Sequence, residues 1–253
     1  MNRDETDQRA VTAGGAETAG AEDRVTISPV AYIRTDLREK YGIPRQAGVV
    51  PELWGEVFFT PGFRDENCLR DIEGFEYLWL IWGFSGNRKR EWSPTVRPPR
   101  LGGNRRVGVF ASRSPIRPNY LGLSCVRLLE MRRDPEKGMV LVVGGADLMD
   151  GTPIYDVKPY VPYSDSKPGA RGGFTDSAWP VLQVVIPEEL ERRIPERLRE
   201  ALRGVLSQDP RSGYQRDDTR EHGMRFGGQN IKFKVDEGIL TVTSVEDVTG
   251  EDR

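Results

Sequence analysis

Three polar segments rich in glycine and proline hold most of the side chains in this sequence that could do chemistry. The first, Gly42-Ile43-Pro44-Arg45-Gln46-Ala47-Gly48, sets a guanidinium and an amide beside a proline that stiffens the backbone presenting them. Arginine offers a planar fork to a carboxylate or phosphate, and glutamine both donates and accepts. The second runs from Val96 to Arg106 and on from Phe110 to Gly122; between Arg88 and Arg117 positive side chains are opposed by Glu91 alone, with Trp92 and Tyr120 interleaved. Such a patch suits phosphates and the unstacked bases of RNA loops, which makes Arg97, Arg100, Arg105 and Arg106 candidate RNA contacts. The third, Gly144 to Tyr160, carries Asp147, Asp150 and Asp156, able to hold an ammonium group or ribose hydroxyls, after a Gly144-Gly145 pair that lets backbone approach a ligand closely. Each has a plainer reading as a solvated loop, a charged surface or an Asp-Gly turn.

The whole-chain composition restricts the partners. Across 253 residues, 37 Lys and Arg nearly balance 39 Asp and Glu, so no global positive field draws the protein to nucleic acid and any RNA contact must be local. Cys68 and Cys125 lie far apart, and the single histidine, His222, cannot complete a metal cluster with them. A reduced, cytoplasmic, metal-free protein is expected. No run of about 18 apolar residues and no apolar N-terminal stretch suggests a membrane span or a secretory signal. Nor is there a phosphate-binding loop of the P-loop type, a G-x-S-x-G, a C-x-x-C, or a G-x-G-x-x-G opening a helix.

The elements that must position these segments are mostly strands. Residues 1–23 combine charge, Ala, Gly and Thr without an aromatic residue, and are expected to form a disordered tail. From Val25 a period near two begins, and further strand candidates are Leu53 to Thr60, Tyr77 to Phe84, Arg106 to Ser112, Leu121 to Met131 and Met139 to Leu148. Short Gly, Pro, Asn and Asp clusters between them favour a closed or nearly closed β-barrel over a βαβ sheet. Then Leu190, Ile194, Leu198, Ala201, Leu202 and Val205 recur at helical spacing, with a helix start at Pro195 and an end near Gln208. A loop over 209–228 leads to a terminal hairpin, Ile231–Val235 and Ile239–Val245. The expected architecture is mainly β: a barrel over 24–166, a connector over 167–186, and a smaller α+β domain over 187–253.

Several strings together go further. PRQ at Pro44 to Gln46, VRPPRLGGNRRVGVFASRSPIRPNYLG at Val96 to Gly122, and DLMDGTPIYDVKPYVPYSDS at Asp147 to Ser166 closely resemble the TrmO (TsaA-like) family, and QDPRSGY at Gln208 to Tyr214 resembles its C-terminal motif. The resemblance runs from about Thr26 to Val245. It implies a single-sheeted β-barrel methyltransferase, working as a homodimer, that N6-methylates threonylcarbamoyladenosine beside the tRNA anticodon with S-adenosylmethionine as donor. By position it implies cofactor contacts at Pro44, Arg45, Gln46, Ser85, Gly86, Arg113, Leu123 and Gly144, Gly145, Ala146 and Asp147, although Ser85-Gly86 departs from the His-Gln pair of some members. Substrate contacts are expected at Arg97, Arg100, Arg105, Arg106, Asn119, Asp209, Arg211 and Tyr214. Asp147 or Asp150 is the candidate to accept the N6 proton. A noncatalytic RNA-binding module, or a methyltransferase acting on another RNA or a small metabolite, is the alternative.

Overall fold

The computed structural model describes residues 25–84, 91–103, 105–177, 180–211 and 220–248. The expected tail, and Ser85, Gly86 and Tyr214, lie outside them. Six antiparallel strands close into a barrel: β1 (Ala31–Thr35), β2 (Trp54–Phe59), β3 (Tyr77–Gly83), β6 (Leu121–Asp134), β7 (Gly138–Gly144) and β8 (Thr152–Pro159). Around the barrel their order is β1, β2, β7, β6, β3, β8. Alternation sets the faces: Ala31, Ile33, Val57, Leu78, Leu80, Val126, Leu141 and Val143 are buried in the barrel core, while Arg34 stands outside beside its cross-strand partner Glu56. Closure leaves no edge for aggregation and no room for another strand. That explains why the expected strand Arg106–Ser112 does not form. β3 and β6 pair directly, so among its described residues the chain between them pairs only as a two-stranded ribbon, β4 (Thr95–Val96) with β5 (Val107–Gly108), followed by a tight turn at Val109–Ala111.

Register brings the three polar segments to one end. Thr35 closes β1 opposite Gly55, Trp54 opens β2 opposite Gly144, Gly83 closes β3 opposite Leu121, and Ile33 lies opposite Thr152 at the start of β8. Connections 36–53, 84–120 and 145–151 therefore emerge at the same mouth.

The C-terminal domain is a four-stranded sheet in the order β10 (His222–Phe226), β11 (Gln229–Asp236), β12 (Ile239–Asp247), β9 (Gln183–Val185). It is covered by α3 (Glu196–Ser207), with two shorter helices, α1 (Pro162–Asp165) and α2 (Glu188–Glu191), before it. Helix α3 starts after Pro195, ends at Gln208, and buries Leu198, Ala201, Leu202, Val205 and Leu206, as the apolar stripe requires. Glu237 and Gly238 both take positive φ, the geometry of a tight two-residue hairpin turn. Two strands depart from expectation. His222–Phe226, placed in a loop by sequence, alternates buried His222, Met224 and Phe226, and Gln183–Val185 in the connector pairs in parallel with β12.

The two domains share the 36–53 connection. Leu37, Val50 and Leu53 are buried in the C-terminal core, with Tyr41 and Ile43 packed against it. Arg197 on α3 grips Asp36 bidentately at 2.8 and 3.2 Å, Gly227 donates to the Asp36 carbonyl at 3.1 Å, and the Arg225 amide donates to Glu39 at 2.8 Å. Gly204 makes this packing possible, because a Cβ there would stand 2.5 Å from Val50 Cγ1. Gly204→Ala gains about 1 kcal/mol of helix propensity, but overpacking a stiff β-branched neighbour costs about 1–3 kcal/mol. Denaturant unfolding is expected to show a net loss of stability that largely disappears in a Val50→Ala background; a stabilised Gly204→Ala protein would contradict the packing.

Candidate functional site at the barrel mouth

The first and third polar segments are joined by backbone. The amide of Gly48 donates to the carbonyl of Gly145 at 2.9 Å, and the amide of Gly145 donates to the carbonyl of Leu53 at 2.6 Å. Gly145 takes a φ of 73°, and a Cβ there would stand 3.0 Å from Gly48 Cα; both facts require glycine. The second segment joins through Arg113, whose Nη1 donates to Gln46 Oε1, while Gln46 Nε2 donates to the Arg45 carbonyl at 2.5 Å. Pro44 is buried beneath this arrangement and Arg45 is exposed.

Asp147 lies where these loops meet the barrel interior. Trp82 Nε1 donates to Ser124 Oγ at 2.9 Å, and Ser124 Oγ lies 2.6 Å from Asp147 Oδ1. An indole N–H can only donate, so Ser124 accepts from Trp82 and turns its own proton toward the carboxylate. Gly122 gives the Trp82 ring its place: a Cβ at Gly122 would stand 2.3 Å from the indole. Burial pushes the Asp147 carboxyl above its ordinary range, against the hydrogen bond from Ser124, the amides of Asp147 and Ala47, and the charge of Arg113. The result is a partly buried carboxyl, more basic than one in water, with cationic and amide groups nearby. Sequence reading named Asp147 but missed Ser124 and Trp82; their signal was the inward alternation of β3 and β6.

The other candidates have different surroundings. Asp150 Oδ1 accepts from the Thr35 amide at 3.0 Å and Oδ2 pairs with Arg38 at 3.2 Å, so its carboxylate holds the turn after β7 to the end of β1. Leu123 is half-exposed opposite Ile81 on the outer face of β6, and alternation turns its side chain away from Ser124 and Asp147. Asn119 lines a cavity of about 420 Å³ with Phe84, Tyr120, Leu121 and Tyr155. Arg97, Arg105 and Arg106 are exposed on the ribbon, Arg106 donating to Thr95 Oγ1 at 2.8 Å. Arg100 is turned back to the connector, bonding the carbonyls of Thr175, at 2.9 Å, and Ser177. Arg211 is buried and locked bidentately onto Asp209 at 2.8 and 3.0 Å. That pair fixes the chain where it leaves α3. Among the described residues no group of three His, Cys, Asp or Glu side chains could hold a metal, and no helix is long and apolar enough to cross a membrane.

A closed barrel with a desolvated carboxyl, paired cationic and amide groups and a basic ribbon at one mouth is a scaffold for a small polar ligand beside an anionic polymer. Comparison with known proteins narrows this class. Residues 32–166 match the tRNA-methyltransferase O N-terminal domain and residues 181–248 the TrmO C-terminal domain. The chain is 35% identical over 228 residues to the tRNA (adenine(37)-N6)-methyltransferase of Escherichia coli, covering 86% of this chain and 96% of that one. It is 38% identical over 235 residues to RcsF of Pseudomonas aeruginosa, whose name marks it as a candidate S-adenosylmethionine-dependent methyltransferase, covering 90% and 99%. The crystal structure of TrmO from P. aeruginosa superposes with a TM-score of 0.72 at 30% identity, covering 89% of this chain and 98% of that one. The chain belongs to the TrmO family of S-adenosylmethionine-dependent tRNA (adenine-37 N6) methyltransferases.

The raised Asp147 carboxyl has a consequence for stability. Between its ordinary and folded values the folded protein binds more protons than the unfolded chain, so this contribution is fully present below the ordinary range, near about pH 4, and is lost as pH rises through the folded value. Asp147→Asn is therefore expected to melt above the wild type at neutral pH, with an advantage that shrinks on acidification. A constant difference across that interval would contradict the desolvated carboxyl.

Proposed function

We propose that the protein methylates N6 of threonylcarbamoyladenosine at tRNA position 37, using S-adenosylmethionine held at the barrel mouth. The observation that carries this is the convergence of Gln46, Arg113 and Asp147 from the three polar segments. S-adenosylmethionine, when bound, supplies an electrophilic methyl group, and it presents a carboxylate, an ammonium group and ribose hydroxyls for recognition. The residues present fit those groups. Arg45 and Arg113 match a carboxylate, the Asp147 carboxyl matches an ammonium group or hydroxyls, and the Pro44–Gly48 and Gly144–Ala146 backbones form the walls. Glycines at 144 and 145 keep those walls close. Ser85, Gly86 and Leu123 belong to the same proposed contact set, Leu123 from the outer face of its strand.

Positioning of reactants contributes up to about 7–11 kcal/mol to such a transfer, and the chain's own part is to hold them and to take up the N6 proton. Asp147 is the better of the two aspartates for this, because burial raises its basicity, whereas Asp150 is engaged by Thr35 and Arg38. Arg97, Arg105 and Arg106 supply phosphate contacts, with Asn119 and Tyr214 toward the modified base and the Asp209–Arg211 pair holding the chain that leads to Tyr214. The working form is a cytoplasmic homodimer, in which a second copy covers exposed Leu129 on β6. A purely RNA-binding module would leave the desolvated carboxyl at the mouth without a task, and is the second reading.

Methyl incorporation into tRNA with and without the threonylcarbamoyl group decides the substrate. Incorporation is expected only with the modified tRNA; equal labelling of both would overturn the assignment, and labelling of neither would leave the RNA-binding module. Calorimetry should find S-adenosylmethionine bound at least about tenfold more weakly by Arg113→Ala, or about 1.4 kcal/mol; unchanged affinity would remove Arg113 from the site. Neutralising Arg97, Arg105 and Arg106 together should flatten the salt dependence of tRNA binding, since each lost phosphate contact releases fewer counterions. An unchanged slope would place the RNA surface elsewhere.

A further inference from the structure

Phe110 is 77% exposed on a well-defined turn. A single exposed apolar side chain is ordinary, but the surroundings of this one are not. The adjacent Val109 is buried, its amide donates to the Pro94 carbonyl at 2.9 Å, and the Ser112 amide closes the turn on the Val109 carbonyl at 3.2 Å. Ser112 Oγ bonds the same carbonyl at 2.9 Å, and Arg117 Nη1 bonds the Ser112 carbonyl at 3.0 Å. Backbone and anchor thus fix the base of an aromatic ring that faces water. Trp92, 42% exposed, precedes β4 at the end of the ribbon from which Phe110 follows β5.

The charge around the ring selects its partner. Arg105 and Arg106 precede it and Arg113 and Arg117 follow it within eight residues of chain, with no acidic residue between Arg105 and Arg117. A second copy meeting this face across a two-fold axis would oppose like charges. An RNA loop brings the opposite charge and unpaired bases whose faces stack on aromatic rings.

Resting on the tRNA reading above, we propose that Phe110 is a stacking platform for an unpaired base of the anticodon loop, beside the adenosine presented to the barrel mouth. Because the turn is already ordered, little conformational freedom is lost when the base arrives. Arginines of the ribbon hold the phosphates, and Phe110 holds one base out of the loop's own stack.

The test uses the full chain and an anticodon stem–loop RNA carrying 2-aminopurine next to the target adenosine. Wild type and Phe110→Trp are expected to change the probe's fluorescence on binding, while Phe110→Ala and Phe110→Leu do not. Loss of the ring should weaken RNA binding about tenfold or more, with the salt slope and S-adenosylmethionine affinity retained. Leucine keeps the apolar bulk without the aromatic face, so full affinity in Phe110→Leu would overturn the stacking role, as would unchanged binding by Phe110→Ala. A shift of Phe110→Ala to a smaller species in sedimentation would assign the face to a second copy and likewise overturn it. Wild-type protein that binds no stem–loop would overturn the tRNA reading together with this one, whereas wild-type binding with an unaffected Phe110→Ala overturns this one alone.

Discussion

The hydrogen bond from Gly48 to the Gly145 carbonyl, 2.9 Å long, is the contact on which the mouth depends. It fastens the long connection between β1 and β2 to the turn that follows β7, and it does so at a separation that a side chain on Gly145 would prevent. On one side of it lie Pro44, Arg45 and Gln46, and on the other Asp147. The same connection is packed into the C-terminal core through Leu37, Val50 and Leu53. The C-terminal sheet therefore acts on the site without contributing a side chain to the carboxyl's immediate surroundings. It holds one wall, and the barrel holds the other.

The electrostatics follow from the same geometry. In a protein with nearly balanced charge, Arg97, Arg105 and Arg106 form a local positive patch on one ribbon, because closure of the barrel excludes that ribbon from the sheet. There Arg97, Arg105 and Arg106 are exposed to water. Asp147, by contrast, sits against the barrel interior and is desolvated, with its orientation set by the Trp82–Ser124 chain. An exposed cationic ribbon and a partly buried carboxyl are thus two different environments at the mouth. They lie at one end of the barrel because antiparallel register returns all three connections there.

Periodicity in the sequence made much of this legible. The alternation in β1, β2, β3, β6 and β7 pointed to a barrel, and the stripe from Leu198 to Val205 located α3 between Pro195 and Gln208. β8 was obscured because Thr152–Pro159 read as a polar motif, and β10 because a polar His222 at an inward position leaves only Met224 and Phe226 to show a period of two. In the site, residue types and order identified the segments that meet, but types alone could not distinguish Asp147 from Asp150. Their difference is made by tertiary contacts: one carboxylate is desolvated beside Ser124, and the other is occupied by Thr35 and Arg38. Arg211 illustrates the same limit, since its type and loop position do not show that it is buried and paired with Asp209 two residues away.

Hydrogen exchange with and without S-adenosylmethionine tests the central claim most directly, that three segments distant in sequence form one ligand site at one end of the barrel. Added ligand is predicted to slow amide exchange together in 42–48, 112–117 and 144–150, and to leave the loops at the opposite end, 60–76 and 135–137, unchanged. Protection confined to that opposite end, or to the C-terminal sheet alone, would contradict the site.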